Sequence, residues 1–200
     1  AILALLHAPA YQADHKSALS ADWAHPPIPR DHALFIQLAQ AGDRVAGLLN
    51  ANAEAGAIVS QILGEPAVTL GALRRVDGAQ VRPQDLEVSI SYWGGAKGRW
   101  IPRDAHSEEI SLDSLGERTG DLYINEQCYF ANVPSAVWQY QLGGYPVIKK
   151  WLGYRQADRR NGNPLTLTES KWLRSVVQRI AALLAYGDEL NSLYAKASEV

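Results

Sequence analysis

The sequence predicts an α+β protein: N-terminal helices, a small central and mostly antiparallel β region, and a C-terminal helical part with a long final helix. Three observations predict it. Apolar residues recur at helical spacing near both ends, first as Leu34, Leu38, Ala41, Val45, Leu48 and Leu49, then as Leu173, Val176, Val177, Ile180, Leu183 and Leu184. Between them, Val88, Ile90 and Tyr92 alternate with Ser89 and Ser91, the period-two signature of a strand. Gly64, Pro66, Gly71, Gly78 and Pro83 break the middle of the chain into short pieces. A length of 200 residues with 47% hydrophobic and 20% charged side chains fits one globular domain of ordinary size, or at most two small ones. The expected organisation is a single domain over 1–200, with a helical entry over 1–53, a β-rich reading region over 54–133 and a helical C-terminal region over 134–200.

Residues 2–15 read as a helix with Leu3, Leu6 and Tyr11 on one side, which Pro9 kinks or restarts. The DWAHPPIPR stretch at 22–30 is an extended connector, because a residue before proline is pushed out of the α region. Asp31 is a good N-cap for a helix running to Asn52. Ala57 to Leu63 fits either helix or strand. The 88–92 strand is expected to turn at Gly94, Gly95 and Gly98 and return as Arg99, Trp100 and Ile101, stopped by Pro102. Leu122 and Ile124 form the next strand, and Cys128, Tyr129 and Phe130 another.

Residues 120–155 are the densest in specific residue types. Pro134 sits in the first turn of a helix that buries Val137, Trp138 and Leu142 and ends at Gly143 and Gly144. Pro146 starts a second helix with Val147, Ile148, Trp151 and Leu152 inward. Lys149, Lys150 and Arg155 lie outward or at its C-terminal end, where cations suit the helix dipole. Thr168 is the expected cap of the last long helix, and Leu190, Leu193 and Tyr194 continue its apolar stripe beyond Gly187.

Several functions are excluded or left unsupported. No glycine-rich phosphate loop followed by Lys-Ser/Thr is present. His7, His15, His25, His32 and His106 show no metal-ligand or triad-like grouping, Glu108 and Glu109 read as solvated, and Cys128 reads as an inert core thiol. No catalytic residue and no metal site is expected. No apolar run reaches the roughly 18 residues that span a bilayer, so no membrane segment is expected. A single cysteine fits a reducing, cytoplasmic setting. The chain has no Met and opens in mid-helix pattern, as a piece of a longer polypeptide would; methionine carried in a modified form would give the same absence.

The net charge of −2 hides an asymmetry. Residues 1–148 carry ten Lys and Arg against sixteen Asp and Glu, a balance of −6, and residues 149–180 carry eight against two, a balance of +6. Such a block is the footprint of a polyanion-binding face, or else a solvated helix surface laced with salt bridges. A second group, Lys97, Arg99, Trp100 and Arg103, surrounds three glycines and suits phosphate and base contacts, or an ordinary surface hairpin.

The run Leu122-Tyr123-Ile124-Asn125, Tyr129-Phe130, Val133-Pro134, Val137-Trp138, Tyr140, Gly143-Gly144-Tyr145 and Lys149-Lys150-Trp151-Leu152 resembles the C-terminal target-recognition (specificity) domain of type ISP restriction-modification enzymes and related adenine-specific DNA methyltransferases. The opening Leu5-Leu6-His7-Ala8-Pro9-Ala10-Tyr11, then Pro27-Ile28-Pro29 and Phe35 to Leu49, resembles the start of the same region. Residues 54–119 match poorly, which is where members reading different sequences would differ.

The resemblance implies a non-catalytic DNA-reading domain of a bacterial or archaeal protein. Its partners would be double-stranded DNA and an upstream methyltransferase domain of the same polypeptide, which would use S-adenosylmethionine; this piece itself would hold no cofactor. The adenine-methylating tetrad and the glycine-rich cofactor motif of that upstream domain are missing here. On this reading Lys149, Lys150, Arg155, Arg159 and Arg160 contact phosphates. Lys97, Arg99, Trp100 and Arg103 are the candidates for base reading. Trp138, Tyr140, Tyr145 and Trp151 are expected to serve packing. The rival reading is a structural or protein-interaction module that docks on other domains through its helices.

Overall fold

A computed structural model describes residues 1–22, 24–89, 99–103, 115–116, 118–156 and 161–199. It bears out the α+β class: nine α-helices and a small antiparallel sheet among the described residues. The chain forms two compact units, Ala1–Ile62 with Ala182–Val200, and Leu63–Ala181. The helical C-terminal region is therefore shared, its last residues grouping with the first 62.

The first unit contains α1 (Ile2–Leu6), α2 (Pro9–Asp14), α3 (Lys16–Ala21), α4 (His32–Leu49), most of α5 (Gly56–Leu63) and, from the end of the chain, α9 (Gly187–Ser198). The expected opening helix is three short ones. Pro9 starts the second at its first position, where a missing N–H is harmless, and His15 separates it from the third. Asp31 caps α4 as expected, its Oδ1 accepting the Ala33 N–H at 2.9 Å. The helix stops at Leu49, not Asn52, with Asn50 as its C-cap. Leu34, Leu38, Ala41, Val45 and Leu48 bury one stripe of α4, and Leu190, Leu193, Tyr194 and Ala197 bury one stripe of α9. Close approach is built in: a Cβ on Gly187 would lie 3.1 Å from Pro9 Cγ. The Asn191 carboxamide oxygen accepts the Ala10 N–H at 2.8 Å, and the Tyr194 hydroxyl donates to Asp14 at 3.1 Å.

The second unit holds the sheet, in the order β1 (Ala72–Arg75), β4 (Cys128–Pro134), β3 (Thr119–Tyr123), β2 (Arg99–Pro102), all neighbours antiparallel. Cross-strand register places Leu73, Phe130 and Leu122 on one face, and Phe130 and Leu122 are fully buried. The expected pairing of 88–92 with 99–101 falls mostly on residues outside the described set. The described partner of β2 is β3, and Ser89 N–H donates to the Ile124 carbonyl at 3.1 Å. Asn125 ties the β3–β4 turn down: its Oδ1 accepts from the peptide N–H groups of Gln127 and Cys128, and its Nδ2 donates to the Asp85 and Glu87 carbonyls, all at 2.7–2.9 Å.

After β4 come α6 (Ser135–Gln139), a small hairpin of β5 (Gln141–Leu142) and β6 (Tyr145–Pro146), α7 (Val147–Gly153) and α8 (Leu167–Ala185). Three expectations are corrected here. The α6 helix ends at Gln139, so Leu142 is not on its buried side; it is 55% exposed on β5. Gly143 and Gly144 do not end a helix but form a two-residue hairpin turn, both at positive φ (55° and 79°) as that turn requires. The cap of α8 is Thr166, not Thr168. Its hydroxyl accepts the Glu169 N–H at 3.1 Å while the Glu169 carboxylate accepts the Thr166 N–H at 2.9 Å, a reciprocal capping box. The ambiguous 57–63 stretch is helical, as α5.

Candidate nucleic-acid interface

Four of the sequence-predicted residues fall in the β2 region. Lys97 lies outside the described residues, and of Arg99 only the backbone is described, paired with Tyr123. Trp100 and Arg103 are both engaged with the sheet. The Trp100 indole N–H donates to the Val133 carbonyl at 2.8 Å, and its ring covers Gly120, where a Cβ would come within 2.5 Å of Trp100 Cε2. Arg103 forks onto Asp121, at 2.8 and 3.1 Å, and its third nitrogen donates to Asn132 Oδ1 at 2.7 Å.

The Arg103 site exists because β4 bulges. Gly120 pairs with Val133 and Leu122 with Phe130, so Asp121 faces two residues, Ala131 and Asn132. Asn132 sits at φ 55°, a left-handed conformation that Asn tolerates better than most residues. It is 1% exposed, and its side chain also donates to the Thr69 carbonyl at 3.3 Å. A bidentate guanidinium–carboxylate pair with a buried amide behind it holds strands in register. These contacts direct Arg103 towards the sheet.

The sheet face opposite Leu73, Phe130 and Leu122 carries, on the same side as Asp121, a row that the sequence reading missed. Arg74, Tyr129 and Tyr123 stand opposite one another on β1, β4 and β3, and the two tyrosine rings stack at 5.0 Å and 25°. Burial, then the Asp121 charge, pushes the Tyr123 hydroxyl pKa up. The alternating signal was present in Arg74-Arg75 and Tyr123, but only strand register reveals that the residues are neighbours.

The basic block is better defined. Ile148 and Leu152, four apart, bury one side of α7. Lys149 places its ammonium 4.8 Å from the centroid of the Trp138 ring. Arg155 lies with its guanidinium 3.8 Å from the Trp151 ring centroid, and Trp151 in turn stacks on Trp172 at 5.2 Å and 18°. Arg155 also pairs with Glu169 at 3.2 Å and donates to the Trp151 carbonyl at 3.4 Å. Lys150 is half-buried on the same helix; Arg159 and Arg160 lie outside the described residues. Trp138 and Trp151 thus pack as expected, and they also orient cations.

Tyr145 does not pack as expected. It is 44% exposed beside Leu142 at the hairpin end, with Tyr154, 53% exposed, as its hydroxyl partner. This hairpin is the second feature the sequence reading missed, although Gly-Gly between two strand residues is a recognised hairpin signal.

No group of three or more metal-ligating side chains occurs among the described residues. Cys128 is buried, and that burial raises its thiol pKa, the opposite of a reactive cysteine. No helix among the described residues is long and apolar enough to cross a membrane. Against known proteins, the family model described as the type ISP C-terminal specificity domain matches residues 2–177. No curated protein and no solved structure matches the chain.

Proposed function

The chain belongs to the type ISP C-terminal specificity domain family, which gives it a target-recognition role in restriction-modification enzymes, and on that premise we propose that it reads double-stranded DNA for an enzyme that methylates adenine at N6. The family match over residues 2–177 carries this reading. The α7 segment supports it physically. A lysine or arginine already held over an indole face has less side-chain freedom to lose when it meets a phosphate. Lys149, Lys150 and Arg155, with Arg159 and Arg160 just beyond, would fix register on the duplex without reading sequence.

Base reading goes to Lys97 and Arg99, an arginine on guanine being the commonest specific contact. Trp100 and Arg103, engaged with Val133, Asp121 and Asn132, hold β2, the strand that carries Arg99. The chain supplies no chemistry. An upstream methyltransferase domain would carry S-adenosylmethionine and turn the adenine out of the stack.

The docking alternative has one observation in its favour. Phe35 and Ile36 are both more than 40% exposed on α4, a side chain pair suited to another domain of the same polypeptide. The two readings divide the work: the first unit attaches and the second reads.

Selection from a pool of duplexes with a randomised centre tests the proposal. Enrichment of a short defined sequence is expected, and Arg99→Ala should relax one base pair of it by about 1–3 kcal/mol. A pool that stays random after repeated rounds contradicts it.

A further inference from the structure

The β5–β6 hairpin has features that packing does not require. Leu142 and Tyr145, opposite one another in register, are exposed at 55% and 44% instead of joining the core. A Cβ added at Gly143 or Gly144 would meet nothing within 4 Å, so the tip stands clear of the other described residues. The hairpin leads directly into α7, with Lys149 and Lys150 one turn along, at the start of the +6 block.

From these we infer that the β5–β6 hairpin is a finger that enters the minor groove of duplex DNA, its Gly143–Gly144 tip towards the groove floor and Leu142 and Tyr145 against the sugar walls. The inference rests on the DNA reading above.

Depth and chemistry favour that groove. Two strand residues and a turn reach about 7–10 Å at roughly 3.3 Å per residue, close to a minor-groove depth of about 7.5 Å. Paired strand axes are about 4.8 Å apart, so with its own atoms the ribbon is wider than an undisturbed groove about 6 Å across and enters by opening it, which a tip without side chains demands least. A glycine tip has no side chain with which to read the major-groove code. Its peptide N–H groups suit a floor that presents only adenine N3 and thymine O2 acceptors, and the guanine 2-amino group obstructs that floor. Apolar side chains beside the tip suit the groove walls, as in other minor-groove proteins. The cations of α7 would then lie where the flanking phosphates run.

The test compares binding of the 200-residue chain to a mixed-sequence duplex and to the same duplex with every guanine replaced by inosine, which removes only the minor-groove amino group. Tighter binding of the inosine duplex, by about tenfold, is expected. The Leu142→Ser/Tyr145→Ser double variant should bind both duplexes about tenfold more weakly, lose the inosine preference and keep the salt slope, since the phosphate-facing cations are untouched. Leu167→Ser, at an exposed apolar position on α8, should change nothing. Equal affinity for the two duplexes, or a double variant that binds like the parent chain, overturns the finger and leaves the DNA reading standing. A double variant with unchanged DNA binding but altered self-association in sedimentation assigns the hairpin to a second copy and also overturns it. No salt-dependent binding of any duplex overturns the DNA reading and the finger with it.

Discussion

Arg103 and Arg155 look alike in the sequence, each a cation beside a tryptophan-bearing segment in a region that resembles a DNA-reading domain. In the fold they do different things. Arg103 has all three nitrogens engaged, two on Asp121 and one on a buried asparagine in a strand bulge. Arg155 has one carboxylate partner, the Trp151 carbonyl and an indole face. A fully forked arginine stabilises a fold; a stacked one is orientated and can still meet an anion. The difference shows that local charge density does not reveal which cations the fold has already paired. What decides the pairing is the set of acids that the topology brings near, and Asp121 comes from a different strand.

Mutations can break this contrast or sharpen it. The largest effect belongs to the sheet. Asp121→Ala strands a part-buried guanidinium and removes an acceptor from Asn132 N–H, so stability measured by denaturant unfolding should fall by about 3 kcal/mol. A loss below about 0.5 kcal/mol would show that Arg103 is not held by this pair and could turn outward.

The next effect depends on pH. The Arg82 side chain and peptide N–H, with Arg75, hold the Asp85 carboxyl down at about 2 against an ordinary 3.8. A depressed carboxyl contributes its stability above the ordinary value and loses it as pH falls from about 4 towards 2. Unfolding midpoints should therefore drop steeply across that window. Asp85→Asn should flatten the drop; an equally steep acid limb in that variant would assign it to another group.

A smaller loss is expected at the candidate interface. Arg155→Ala removes one ion pair, one indole contact and a long hydrogen bond to the Trp151 carbonyl, about 1 kcal/mol. The smallest is at the finger, where Leu142→Ser should alter stability by less than about 0.5 kcal/mol because the side chain is already in solvent. A large loss there would mean that the hairpin is a packing element.

Much of the fold was legible in the sequence because it follows from local rules. The periodic stripe of α4, the Asp31 cap, the proline starts at Pro9 and Pro146 and the inert, buried Cys128 all depend on residues within a turn or two of each other. What was not legible depends on distant partners. The Asp121–Arg103–Asn132 cluster joins three strands through a bulge that no local pattern announces. Leu142 was given to a buried helix face because Val137, Trp138 and Leu142 fit helical spacing, yet Tyr140 already leaves the helix and the Gly-Gly turn reverses the chain. Thr168 lost the cap to Thr166 because only Thr166 has a glutamate three residues on. Of the candidate site, the cations of α7 were legible as a charge block, but not the indole faces beneath them, since Trp172 and Trp138 reach that helix from elsewhere in the chain.

The central claim is that the second unit meets a duplex through the cations of α7. Its most direct test is fluorescence anisotropy of a labelled duplex, titrated with the chain and with Lys149→Gln/Lys150→Gln across a series of salt concentrations. The account predicts steeply salt-dependent binding, with the slope of log affinity against log salt smaller by about 2 in the double variant, close to one unit for each phosphate no longer neutralised. Binding with the same slope in both proteins, or with no salt dependence at all, would contradict it.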